Sequence, residues 1–265
     1  SNYFEKKIKA FLRAEFAWFL ELNSNFQIII NDEVLDYKSI IEDRKAFSIE
    51  VQDIQFDCKY LRWNVKPNDE YSRFYFLNKA LDVRGTKTTL LNKKGDGFWH
   101  SIVVINDFFE DKMSECFSGK TISPTLFEDK EAHGIFDLLI SELNNFLKKE
   151  RRPFLRKQAN KLLGNYHKDG VFPSFGDTIW EVKRKEELEE LIVSLYEVEP
   201  RVFIKLNKEQ QQIFLKLLNL IMDSNERENL FKIIGEVVDL EQTDRAEFAK
   251  LLRTSRLKYI ISTIK

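Results

Sequence analysis

The sequence predicts an α+β chain: a twisted, mostly antiparallel sheet with packing helices, followed by an all-helical domain. Three observations carry this. Short β-branched and aromatic runs, separated by turn residues, fill residues 26–105. From residue 123 the apolar positions recur at three and four, the period of a helix face. The 265 residues include 23 Phe against 9 Gly and 5 Pro, ample large apolar mass for a core. The expected parts are a lead-in helix over 1–21, a β-rich domain over 22–118 and a helical domain over 119–265.

Composition bounds the function classes. Hydrophobic residues make up 43% and charged residues 32%, a globular and well-solvated balance rather than a disordered one. With 42 basic and 43 acidic residues the net charge is -1, so the chain as a whole has no electrostatic footprint for nucleic acid or membrane. Cys58 and Cys116 are the only cysteines, too few for a disulfide framework or a zinc site. Reduced thiols in a cytoplasmic setting are the expectation. No apolar run reaches the ~18 residues of a membrane span, and no signal-peptide pattern opens the chain. The first residue is not Met and the helical pattern still runs at Lys265. Both points lead us to expect a piece of a larger protein.

The elements follow in order. Over 3–22, Phe4, Ile8, Phe11, Leu12, Phe16, Phe19 and Leu20 make one helical stripe, widened by Ala14 and Trp18. Residues 26–30 and 34–35 read as a hairpin around Asn31-Asp32-Glu33. Strands are expected over 46–51 and 54–63, with Ile54, Phe56, Cys58 and Tyr60 alternating onto one side. Pro67-Asn68-Asp69 is a turn, and strands at 74–77, 86–91 and 98–105 complete a set of roughly seven. Short turns between them favour antiparallel pairing.

Ser123-Pro124 opens the helical part, an N-cap with Pro at the first helical position. Ile135, Leu138, Leu139, Leu143, Phe146 and Leu147 form its stripe. Pro153 is expected to kink or restart the helix before 155–163, with Gly164 as C-cap. Further helices are expected over 185–197 and from Asn207, then after an Asp223/Glu226 capping box, and last from Thr243. Short connections among the last three imply antiparallel neighbours in a bundle.

Several residue sets are candidates for chemistry. Glu181 and Lys183 stand two apart in Thr178-Ile179-Trp180-Glu181-Val182-Lys183. On a strand they would share a side, as a carboxylate for Mg²⁺ and a lysine for the attacking water in a nuclease of the PD-(D/E)xK type. Asp169 would be the second carboxylate, since Asp177 is too close. Charge alternation at a helix start explains the pair equally well. His100, His133 and His167 are widely spaced, Ser101 lacks a glycine elbow, and Asp96 between Gly95 and Gly97 reads as a turn. Gly85-Thr86-Lys87-Thr88-Thr89 carries one glycine, too few for an amide cradle, but Lys87 on a loop could meet a phosphate as a point charge. Lys148, Lys149, Arg151, Arg152, Arg156 and Lys157 make a cationic ridge able to meet nucleic-acid phosphates. A solvated helix face is the commoner reading of such a run.

The succession FQIIINDEVLDY, IQFDCKYLRWN, YSRFYFLN and TTLLNKKGDGFWHSIVVINDFF resembles the region downstream of the nucleotide-binding domain in bacterial GHKL ATPases, relatives of gyrase B, MutL and the heat-shock chaperones. PRVFIKLNKEQQQIFLKLLNLI and LEQTDRAEFAKLLRTSRLKYIISTIK are similar to the helical part that follows in multidomain bacterial proteins of this kind, several of them linked to anti-phage defence. The resemblance implies a transducer domain that couples ATP and Mg²⁺ binding in an upstream domain to dimer closure. It makes Lys87 the lysine offered to the γ-phosphate and a homodimer the full-length assembly. The nucleotide site itself is not in this chain: Glu21 and Asn25 meet the ExxxN pattern only formally, across an expected helix end, and no DxGxG occurs. A Mg²⁺-dependent nuclease using Asp169, Glu181 and Lys183, or a nucleic-acid-binding module using the ridge at 148–157, are the alternatives.

Overall fold

A computed structural model describes residues 2–67, 72–91, 95–111, 130–204 and 206–222. The chain divides into two compact units, Ser1–Lys148 and Lys149–Lys265. The expected Pro67-Asn68-Asp69 turn, the Ser123-Pro124 helix start, Cys116, the Asp223/Glu226 box and the stripes at 230–264 fall wholly or partly outside the described residues.

The first unit opens with α1, Asn2–Leu22. Strands β1, Ile29–Ile30, and β2, Glu33–Val34, form a small antiparallel hairpin. Its turn residues Asn31 and Asp32 have φ of 51° and 64°, the left-handed pair that a tight hairpin with the right twist needs. After a single 3-10 turn come β3, Ile41–Val51, and β4, Ile54–Trp63. Gln52 and Asp53 join them with the same geometry, at 47° and 64°. Then follow β5, Arg73–Leu77, β6, Val83–Thr88, β7, Trp99–Ile105, and α2, Phe108–Asp111.

The larger sheet has the order β3-β4-β7-β5-β6. All its pairings are antiparallel except β5 with β7. That exception arises because β7 returns between β4 and β5 instead of extending the edge.

Each face of the sheet has its own cover. On one, Trp18 of α1 stacks on Tyr75 with centroids 4.2 Å apart, and Ala17 packs with Leu61 and Trp63. On the other lie Phe56, Phe74 and Phe76, all nearly fully buried. Phe109 of α2 closes over Phe56 and Phe76. The helix α3, Lys130–Lys168, adds Phe136 against Phe76 and Phe146 against Tyr60 and Phe47. Burying a phenylalanine stabilises by about 1.5–3 kcal/mol, so this aromatic layer is the main adhesive of the unit. The first stretch of α3 is therefore part of the sheet's own core.

The second unit takes in α3 from residue 149 onward, with α4, Ile179–Val198, α5, Arg201–Ile204, and α6, Lys208–Ile221. Leu155, Ala159 and Leu163 of α3 meet Leu188, Ile192 and Leu195 of α4, Phe203 of α5, and Leu215 and Leu218 of α6. Asn207 caps α6 in a reciprocal box with Gln210, satisfying two backbone donors at once.

The expected C-cap at Gly164 is corrected, because Gly164 is interior to the helix, and so is a restart after Pro153, which also lies inside it. The helix stops at Gly170, whose φ is 66°. There Gly170 N donates to His167 O and Val171 N to Tyr166 O, at 3.4 and 2.9 Å. This is the Schellman arrangement, which favours glycine in the left-handed position. Among the described residues no helix is long and apolar enough to cross a membrane.

Candidate functional site around Lys87

Lys87 belongs to β6, an edge strand of the sheet, opposite Phe74 in register. Lys87 falls within the strand expected over 86–91 and stands on that strand rather than on the loop offered for its phosphate role. Val83 to Thr88 continue the ladder to β5, and the backbone N–H of Thr89 extends it by donating to Ser72 O at 3.0 Å. Buried Gly85 stands opposite Phe76 in the register. Lys87 is exposed, and its ammonium stands 5.5 Å from the ring centroid of Phe136 on α3. Phe136 in turn meets Phe76 edge-on at 5.1 Å. The three residues run from solvent into the core: cation, aromatic lid, buried ring.

The hairpin carrying Lys87 is pinned at its far end by polar groups. Buried Asn78 donates from Nδ2 to Asp82 Oδ2 and Glu110 Oε2, at 3.2 and 2.7 Å, and Asn78 Oδ1 accepts from Asp82 N. Arg84 bridges Glu110 at 3.0 Å and Asp82 at 3.3 Å. The backbone N–H of Lys79 donates to Asp107 Oδ1. That bond, more than the Lys79 ammonium, holds the Asp107 carboxyl below the usual carboxylate range. The turn of the β5–β6 hairpin is thus tied to α2.

The histidine and serine of β7 serve structure. His100 is fully buried, with Nδ1 3.0 Å from Phe98 O and Nε2 3.0 Å from Thr89 Oγ1. Because a carbonyl oxygen can only accept, Nδ1 carries a proton, and in the neutral ring Nε2 then accepts from the Thr89 hydroxyl. Ser101 Oγ accepts from Trp63 Nε1 at 3.0 Å. Asp96 accepts from Phe98 N in the turn where Gly95 and Gly97 have φ of 72° and 77°.

Glu181 and Lys183 are not on a strand. Thr178 is the N-cap of α4, and Glu181 sits in its first turn. The Thr178 hydroxyl donates to Glu181 Oε2 at 2.7 Å and accepts from Glu181 N at 3.3 Å. With a backbone hydrogen bond at Gly176, this lowers the Glu181 pKa. A Cβ on Gly176 would lie 2.5 Å from Glu181 Oε2, so glycine admits the carboxylate. Residues two apart on a helix point about 200° from each other, which separates Glu181 from Lys183. Among the described residues no group of three His, Cys, Asp or Glu could hold a metal ion.

The cationic ridge on α3 is partly spent. Arg152 pairs with Glu197 at 3.0 Å, and Arg156 with Glu190 at 3.3 Å and Glu197 at 3.5 Å. Arg151 is half-buried, while Lys148, Lys149 and Lys157 are exposed. His167 reaches Glu189 at 2.8 Å and lies over Phe172. Glu21 closes α1 and binds Arg44 at 2.7 Å, with Asn25 beyond the helix. The ExxxN spacing therefore does not share one helical face.

Phe136 and the acceptors Glu190 and Glu197 are the partners that sequence reading missed. Phe136 adjoins Ile135 of the apolar stripe, and its position offered the only signal. No protein-family model, curated protein or solved structure matches the chain.

Proposed function

We propose that the chain is the transducer and helical part of a GHKL-type ATPase, with ATP and Mg²⁺ held by an upstream domain and a homodimer as the full-length assembly. The setting is the bacterial cytoplasm, in keeping with the free, buried thiol of Cys58, and anti-phage defence is the biological context the resemblance offers. The residues described here do not by themselves fit a nucleotide. One exposed lysine without a glycine-rich cradle offers a single point-charge contact.

The observation that carries the reading is Lys87 over Phe136. At an exposed site such a cation–aromatic contact contributes only about 0.5–1 kcal/mol. A phosphate presented by a neighbouring domain competes easily for the ammonium. Phe136 belongs to α3, the helix inside which the two units divide. Drawing Lys87 off the ring removes a contact from the start of that helix while the Asn78–Glu110 end of the hairpin stays fixed. The coupling is mechanical, and no bond is made or broken by this chain.

The test uses the parent protein. Its upstream sequence should contain a DxGxG, and Lys87→Ala should lower ATP turnover at least tenfold with the Tm unchanged. Unchanged turnover would remove Lys87 from the mechanism, and an upstream sequence without the motif would end the ATPase reading.

A further inference from the structure

Lys157, Lys161, Gly164 and Lys168 occupy one line along α3, at spacings of four, three and four. An α-helix turns 100° per residue, so these four positions fall within about 60° of one another. All four are exposed, and they lie opposite Leu155, Ala159 and Tyr166, which face the core. No ion pair among the described residues holds any of the three lysines, in contrast to Arg152 and Arg156, which are turned toward Glu197 and Glu190. A Cβ on Gly164 would meet nothing within 4 Å, so the third place in the row is bare helix backbone.

We propose that this stripe binds the sugar-phosphate backbone of a nucleic acid without reading its sequence. The inference is independent of the ATPase reading and uses a different helix face from the paired arginines. Lysine is a point charge on a flexible stem, suited to phosphate contact without geometric specificity. The three lysine positions span about 16 Å along the axis, the length of several phosphates on one strand. The gap at Gly164 lets the backbone of a partner come close to the helix between them. An anionic membrane fits less well, because interfacial helices bury aromatic and aliphatic side chains. None of the exposed large hydrophobics of the described chain lies between residues 149 and 168.

The experiment measures fluorescence anisotropy of a labelled random-sequence 20-mer, double- and single-stranded, with the chain at 50 to 200 mM salt. The comparison is Lys157→Gln/Lys161→Gln/Lys168→Gln against an equal charge loss elsewhere, Lys6→Gln/Lys7→Gln/Lys59→Gln. Circular dichroism verifies that both variants melt as the wild type does. We expect the stripe variant to bind at least tenfold more weakly at 50 mM salt. Its slope of log affinity on log salt should flatten by about 2.7 on duplex, three contacts at about 0.9 each. The control variant should bind as the wild type does. Absence of wild-type binding at 50 mM salt, or equal binding by the two variants, would overturn the proposal. So would tighter binding to poly-glutamate competitor than to either oligonucleotide, which would assign the stripe to an acidic protein.

Discussion

Phe47 of β3 and Phe146 of α3 lie face to face, with centroids 4.0 Å apart and planes inclined by 14°. Tyr60 meets the same Phe146 edge-on at 5.4 Å. One helical ring thus fastens the outermost strand and its neighbour together. Phe146→Ala should destabilise the first unit by about 2–3 kcal/mol, below the full cost of a buried phenylalanine because the ring is half-buried. Trp18, Trp63 and Trp99 all belong to that unit and Trp180 to the second. Urea unfolding followed by tryptophan fluorescence, repeated in a Trp180→Phe background, reads the loss directly.

Glu197 receives both Arg152 and Arg156, and its own side chain is only 8% exposed. Glu197→Gln keeps the shape and removes the charge. The two arginines remain half in water, which softens the penalty. We expect a loss of about 1 kcal/mol, concentrated at low ionic strength and shrinking toward 1 M salt. Thermal melts at two salt concentrations distinguish this from a packing defect, which salt would leave unchanged.

A glycine inside α3 and one just past its end should respond oppositely to alanine. Gly164 is interior to the helix with open space where its Cβ would go, so Gly164→Ala should stabilise by about 1 kcal/mol. Gly170 has φ of 66° in the terminating motif, so Gly170→Ala should destabilise by about 1 kcal/mol. Chemical denaturation of the pair, measured side by side, checks the sign of each.

Alkaline pH should weaken the fold before it changes anything else. Burial pushes the Tyr75 and Tyr166 phenols up to about 12, and the Cys58 thiol likewise to about 12. The unfolded chain releases the tyrosine protons near pH 10 and the thiol proton near pH 8.5, about where model peptides do. Above those values the folded state holds protons that the unfolded state has lost, so stability falls as pH rises. Denaturation midpoints should be flat to about pH 8, decline gently to about 10, and then fall steeply. At the acid end the lowered carboxyls of Asp107 and Glu181 work the other way. Their stabilisation is lost as pH falls through their folded values, with a shallow slope because both lie at the surface.

Much of this architecture could be read in the sequence because local chemistry and long-range packing agree. Strand β4 was expected over its full length, since Phe56, Cys58 and Tyr60 alternate into a single aromatic layer. Asn31-Asp32 was visible because short polar side chains tolerate the left-handed backbone of the turn, and the start at Asn207 because its side-chain oxygen can accept from the helix's first free N–H groups. The readings that failed are those in which tertiary contacts override a local preference. Pro153 and Gly164 discourage a helix, yet Leu155, Ala159 and Leu163 are held in one by the core. Strand β6 begins earlier than its apolar residues imply, because its register follows Phe74 and Phe76 on the neighbouring strand. Lys87 was singled out by residue type, while its partner Phe136, about fifty positions away, could not be paired with it from spacing. Arg152 and Arg156 looked free for the same reason, their acceptors lying on another helix.

Pro153 has a further bearing on how the molecule comes apart. Having no N–H, it cannot bond to the carbonyl of Lys149, and Lys149 is the first residue of the second unit. Helical order propagates because each residue added gains one bond at little entropic cost. At this rung the gain is missing, so an unravelling front entering α3 from either end meets its natural stopping place there. The 39-residue helix therefore need not melt as one body. Each unit can lose its own share of α3 along with its own core, and denaturation should proceed in two cooperative steps.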